Sequence, residues 1–204
     1  TGIPEFRGAI SSWMSSTYKV NFSAENEILP LMGSKEGIMH ISMAFLNAGD
    51  KVLVPNPGYP TYTSVSNLID AEIEFYDLDE NNGWNVDVEA LKKQDLSKVK
   101  LLWLNYPHMP TGAKADNKVL RELIALAKEE KFLIINDNPY SLILNPAPQS
   151  IFNLEGSKAV CLELNSLSKS HNMAGWRIGW LTGAPEDIAT VLRVKSNMDS
   201  GMFL

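Results

Sequence analysis

The stretch LELNSLSKSHNMAGWRIGW, Leu162 to Trp180, decides how this sequence is read. An apolar run ends there in two small hydroxyl residues, Ser166 and Ser168, and a single lysine, Lys169. Gly175, Trp176 and Arg177 follow closely. A lone lysine is by default a solvated surface residue. At the end of a buried strand, desolvated and near cations, its amine becomes a nucleophile toward carbonyls. The hydroxyls of Ser166 and Ser168 and the guanidinium of Arg177 suit a phosphate. A carbonyl-binding lysine beside a phosphate site points to pyridoxal phosphate.

Outward from this stretch, short apolar runs alternate with amphipathic segments. KVLV (51–54), EIEFY (72–76), VKLLWL (99–104), FLIIN (132–136), AVCLEL (159–164) and WRIGWLT (176–182) predict strands. Pro4 suits the start of a helix with Phe6, Ala9, Ile10, Trp13 and Met14 on one face. Ser34 is expected to N-cap a largely buried helix that ends before Gly49. A third helix starts near Thr61, Asp116 caps a fourth, and another follows Pro185. This alternation predicts one α/β domain, residues 1–204, with a mostly parallel sheet flanked by helices. Ligands in such sheets bind beyond the carboxyl ends of the strands. Three polar clusters sit there: NYPHMPTG, NDNPY and NSLSK.

Composition narrows the function. Hydrophobic residues at 45% and charged residues at 21% are the balance of a globular chain. A net charge of −6 argues against nucleic acid, which needs a basic face. The single cysteine, Cys161, lies in an apolar run and reads as a buried structural thiol. His40, His108 and His171 lack metal-ligand spacing, so no metal is expected. No apolar run reaches membrane-spanning length and no signal peptide stands at Thr1, so the expected location is cytoplasmic.

The rest of the chain offers what pyridoxal phosphate needs. Its ring nitrogen needs a carboxylate to stay protonated, and Asp137 follows a buried run directly. Out of context, Asp137 would be a turn residue. Tyr140, in the same NDNPY cluster, can donate to the phenolic oxygen. GSKEG (33–37) combines Gly33, the hydroxyl of Ser34, Lys35 and a helix start, the arrangement that binds phosphate through backbone N–H groups. Tyr59, in a strand-to-helix loop, can pack on the ring face.

Together these segments resemble the large, cofactor-binding domain of fold-type-I pyridoxal-phosphate enzymes, the class I/II aminotransferases. SLSKSHNMAGWRIG is similar to that family's S-x-S-K…GWR-x-G signature. The resemblance implies Lys169 as the Schiff-base lysine, with Ser166 and Arg177 at the phosphate and Ser168 among the cofactor-binding residues. DNPY resembles the family's D-x-x-Y, which implies Asp137 at the ring nitrogen and Tyr140 at the phenolic oxygen. GSKEG and PGYPTY resemble its first phosphate loop and its stacking segment, which implies Gly33, Ser34, Lys35 and Tyr59 as cofactor contacts.

One position departs from the pattern. Where the family's NPTG segment has an asparagine that donates to the phenolic oxygen, this chain has Met109. Either Tyr140 makes that contact alone, or Asn105 or His108 replaces it.

The family's chains are about twice this long. The resemblance therefore implies a fragment, without an N-terminal arm and a C-terminal small domain carrying the substrate-carboxylate arginine. It also implies a homodimer when full length, with an amino acid and a 2-oxo acid as substrates. A lyase on the same scaffold, or a cofactor-sensing domain of a transcription regulator, would share these motifs.

Overall fold

In the computed structural model, which describes residues 2–202, the chain runs α1 (Pro4–Tyr18), β1 (Ile28–Leu31), α2 (Ser34–Phe45), β2 (Lys51–Asn56), α3 (Pro60–Leu68), β3 (Glu72–Asp77), α4 (Val88–Leu91), β4 (Val99–Leu104), α5 (Asn117–Glu130), β5 (Leu133–Asp137), β6 (Cys161–Ser166), α6 (Leu167–Ser170), β7 (Gly179–Thr182) and α7 (Pro185–Lys195). Seven strands form one sheet in the order β1-β7-β6-β5-β4-β2-β3. The pairs from β3 through β6 are parallel; β7 pairs antiparallel with both β6 and β1. The expected mostly parallel sheet flanked by helices is what the chain forms.

Successive side chains on a strand face opposite sides, so each apolar run feeds two cores. Val52, Val54, Leu101, Trp103, Ile135 and Leu162 pack with Ile38 and Ile41 of α2, Tyr62 of α3 and Val191 of α7. Leu53, Leu102, Leu104, Ile134 and Cys161 pack with Leu91 of α4 and Leu123, Ile124 and Ala127 of α5. A smaller cluster seats Ile10, Met14 and Tyr18 of α1 against Ile28 and Trp180. Cys161 is fully buried, and burial pushes its thiol well above the usual range, as a structural cysteine requires.

Several expectations need correction. The strand β1, ILPL, is not among the strands expected from the sequence. As an edge strand, β1 tolerates Pro30, a residue without an N–H. WRIGWLT is a strand only from Gly179, because Trp176 closes a short helical turn and Arg177 takes a left-handed φ of 55°. Ser34 is not the N-cap of α2. That place belongs to Gly33, whose φ of 84° turns the chain sharply, and the Ser34 side chain makes no capping bond. Asp116 does cap α5, accepting from the N–H of Lys118 at 2.7 Å. Among the described residues, no helix is long and apolar enough to cross a membrane.

Candidate active site

A cleft of about 360 Å³ opens beyond the carboxyl ends of β4, β5 and β6. Of the residues singled out in the sequence, Ser34, Lys35, Tyr59, Met109, Asp137, Tyr140, Ser166, Ser168, Lys169 and Arg177 all line it. Gly33 lies just behind the wall, where a Cβ would overlap the Arg177 guanidinium. Segments more than a hundred residues apart in sequence thus share one cavity.

Asp137, the last residue of β5, is buried in the cleft. Its Oδ2 accepts from the Tyr62 hydroxyl at 3.0 Å, and its Oδ1 is buried without a partner. Burial pushes the carboxyl up to about 7, against the pull of the Tyr62 bond. Tyr62 is held rigidly: it is fully buried and stacks on Trp103 with centroids 4.8 Å apart and planes 8° from parallel. Burial and the neighbouring Asp137 charge raise the Tyr62 phenol well above its ordinary value, so it stays a donor.

Helix starts and turns build the phosphate-like end. The N–H groups of the first turn of α2 have no intrahelical partner. Gly179 lets β7 lie tight beneath that turn, since a Cβ there would sit 2.8 Å from the Ser34 nitrogen and 2.9 Å from the Gly33 carbonyl carbon. This gives the second glycine of GWRIG a physical reason. Arg177 reaches across from its left-handed turn and donates to the Met32 carbonyl at 3.2 Å and to the Ala174 carbonyl at 2.7 Å. Ser166 caps α6, its hydroxyl accepting from the Ser168 N–H at 3.2 Å.

Lys169 departs from the expected setting. Its strand ends at Ser166, and Lys169 itself lies in the short helix α6, exposed at the cleft rather than desolvated at a strand end. The turn of α6 carries the side chain past the edge of the sheet.

Around Met109, Asn105 donates to the Asp137 carbonyl at 2.7 Å and accepts from the Met109 N–H at 2.9 Å. It lines the cleft too. His108 is turned away, its ring nitrogens 2.8 Å from Thr111 Oγ1 and 3.1 Å from the Pro57 carbonyl. That removes His108 as the replacement donor. Burial, with the charge of Asp137, raises the phenol of half-buried Tyr140, which keeps its proton.

Sequence reading missed Tyr62, although it sits one helical turn beyond Tyr59, within edge contact at 5.7 Å. Helical spacing in PGYPTY is the signal that could have found it. Pro139 and Ala174 also line the cleft, and neither carries chemistry that a sequence could announce.

The residues fit a phosphorylated pyridine aldehyde. An unpartnered buried carboxylate oxygen awaits a cationic donor, and hydroxyls, an arginine and a helix start form an anion cradle in the same cavity.

The chain is similar to known proteins along nearly its whole length. The family model described as Aminotransferase class I and II matches residues 1–201. An LL-diaminopimelate aminotransferase of Dehalococcoides mccartyi is 41% identical over 203 residues, covering 98% of this chain and 52% of that protein. One from Moorella thermoacetica is 40% identical over 205 residues, 99% of this chain and 52% of the relative. Apo-BacF from Bacillus subtilis superposes with a TM-score of 0.95 at 37% identity, covering 99% of this chain and 52% of that one. A probable N-succinyldiaminopimelate aminotransferase from Thermus thermophilus reaches 0.91 at 33% identity, covering 98% of this chain and 54% of that one. The chain spans about half the length of the relatives it matches. With a match along nearly its whole length and relatives at 40% identity or above, the chain belongs to the class I and II aminotransferase family.

Proposed function

We propose that the protein transfers an amino group between an amino acid and a 2-oxo acid, with pyridoxal 5′-phosphate as cofactor. The observation that carries this reading is the shared cleft of Lys169 and the unpartnered Asp137 oxygen. Bound there, the cofactor supplies an electron sink for the pair of electrons left when the amino acid's Cα–H bond breaks. Lys169 would hold the cofactor through its aldehyde, and its amine would serve as the acid and base for the substrate's Cα proton. Asp137 keeps a proton on the ring nitrogen, and Tyr62 orients that carboxylate. Tyr140 donates to the phenolic oxygen and Tyr59 packs on the ring. Ser34, Lys35, Ser166, Ser168 and Arg177 take the phosphate, with the N–H groups at the start of α2.

In this reading, residues 1–204 are the large domain of a longer, homodimeric enzyme of the cytoplasm. The remainder of that enzyme holds the substrate carboxylate. Relatives named for LL-diaminopimelate make that dicarboxylic diamine the first donor to test. The full-length protein, loaded with cofactor, is to be assayed with LL-diaminopimelate and a panel of amino acids against several 2-oxo acids. Formation of a new amino acid from the 2-oxo acid is expected. Release of ammonia without a new amino acid would assign a lyase instead, and no turnover with any pair would favour a sensing domain.

Met109 carries a separate expectation. Loss of a donor to a charged phenolic oxygen is worth roughly one to two pKa units. Met109→Asn restores that donor, stabilises the deprotonated oxygen and lowers the pH at which the loaded protein's visible spectrum titrates. The measurement is a spectroscopic pH titration of both full-length proteins. Coincident curves would mean that Tyr140 and Asn105 already satisfy the oxygen, or that position 109 does not face it.

A further inference from the structure

Behind the phosphate-like end of the cleft lies a buried ionic cluster. Glu36, in the first turn of α2, accepts at Oε2 from the Met32 N–H at 2.5 Å. Its Oε1 contacts His40 Nε2 at 2.9 Å and Lys195 Nζ at 2.8 Å. Lys195, the last residue of α7, is fully buried, and its ammonium also meets Asp199 Oδ2 at 2.6 Å. A lysine is almost never fully buried unless paired. Burial alone would raise the Glu36 carboxyl, but the bonds from His40, Lys195 and the Met32 N–H hold it down at about 2.

Ligand atoms of Glu36, His40 and Asp199 come within 4.8 Å of one another, a spacing compatible with a metal. The Lys195 ammonium already bonds two of the three groups and occupies the space between them, so the cluster is an ion-pair network, with His40 Nδ1 buried without a partner. Its output is directed at one turn. Glu36 holds the N–H of Met32, while Arg177 holds the Met32 carbonyl. Gly33 and Ser34 follow immediately, and the first free N–H groups of α2 with them.

We propose that Glu36, anchored by Lys195, is a positioning residue for the cofactor phosphate: it fixes the Met32–Ser34 turn so that Ser34 and the α2 amides converge on the phosphate oxygens. The role rests on the pyridoxal-phosphate reading of the cleft. A carboxylate so near an anion site would repel the anion if bare. Lys195 sets one positive charge between the carboxylates of Glu36 and Asp199, which weakens that repulsion without cancelling it. Glu36 and Lys195 lie 159 positions apart in sequence, so the brace ties the Met32–Ser34 turn to α7 as well as, through His40, to its own helix.

The test separates phosphate binding from general folding. Cofactor-free full-length wild type, Glu36→Gln and Lys195→Met are each titrated with pyridoxal 5′-phosphate and with unphosphorylated pyridoxal, reading the visible absorbance of lysine-bound aldehyde. Wild type is expected to prefer the phosphorylated form. Both variants are expected to lose about tenfold of that preference, with pyridoxal affinity unchanged. Equal weakening of both ligands, or no change in either, would overturn the role. If Lys195→Met does not fold, Glu36→Ala, which removes the acceptor of the Met32 N–H, decides in its place. A wild type that binds neither ligand would overturn the cofactor reading itself, and this role with it.

Discussion

Lys169→Ala is expected to lose turnover by at least about 10⁴-fold, together with the visible band of the lysine-bound cofactor. Among the described residues that line the cleft, the other amine is that of Lys35, 6.0 Å from the Tyr59 ring centroid. The fold should persist, because Lys169 is exposed and its replacement empties no packed volume. Circular dichroism and thermal melting of the cofactor-free variant should match wild type. A variant that retains both the band and turnover would show that another amine holds the aldehyde.

Asp137→Asn joins a large loss of function to a gain in stability. Without a carboxylate to hold the ring proton, the rate should fall by about 10²–10³-fold, as when one preorganised electrostatic group is removed from a buried site. Stability moves in the opposite direction. The carboxyl titrates near 3.8 when unperturbed and near 7 in the folded, cofactor-free chain. Between those values the unfolded chain gives up the proton while the folded chain keeps it. The folded state therefore loses stability as pH rises from about 4 to about 7, by an amount on the order of 4 kcal/mol. Asparagine has no such slope. The cofactor-free variant should melt above wild type at pH 8 and approach it near pH 4. Parallel melting curves across that range would show that burial does not hold the Asp137 proton. In the proposed reading, the cost of burying Asp137 would be offset by a cationic ring nitrogen bound beside it.

Much of the fold was legible because period and apolar content agree. VKLLWL is buried at nearly every position and forms a strand over the full predicted span, 99–104. The apolar stripe of Val119, Leu120, Leu123, Ile124 and Ala127 marked α5 in the same way, with Val119 only partly buried. Edges and turns were harder. β1 carries Pro30, which is tolerated only because β1 ends the sheet, and edge position is a property of the assembled sheet. The αL turn at Arg177 and the sharp turn at Gly33 depend on β7 passing beneath the start of α2, a tertiary contact.

The candidate site was legible where chemistry is local. The hydroxyls, lysine and arginine singled out in SLSKSHNMAGWRIG, Ser166, Ser168, Lys169 and Arg177, line one cleft. Tyr62 and Glu36 were not legible as site residues, since each acts through another group brought close by folding. Tyr62 reaches Asp137 across 75 positions of sequence, and Glu36 needs a lysine from the far end of the chain.

The most direct test of the central claim is where the cofactor attaches. Full-length protein reconstituted with pyridoxal 5′-phosphate is reduced with borohydride, digested and mapped by mass spectrometry. The expected result is one pyridoxyl-labelled peptide with the label on Lys169; a label on Lys35, or none on the cleft at all, would contradict the account.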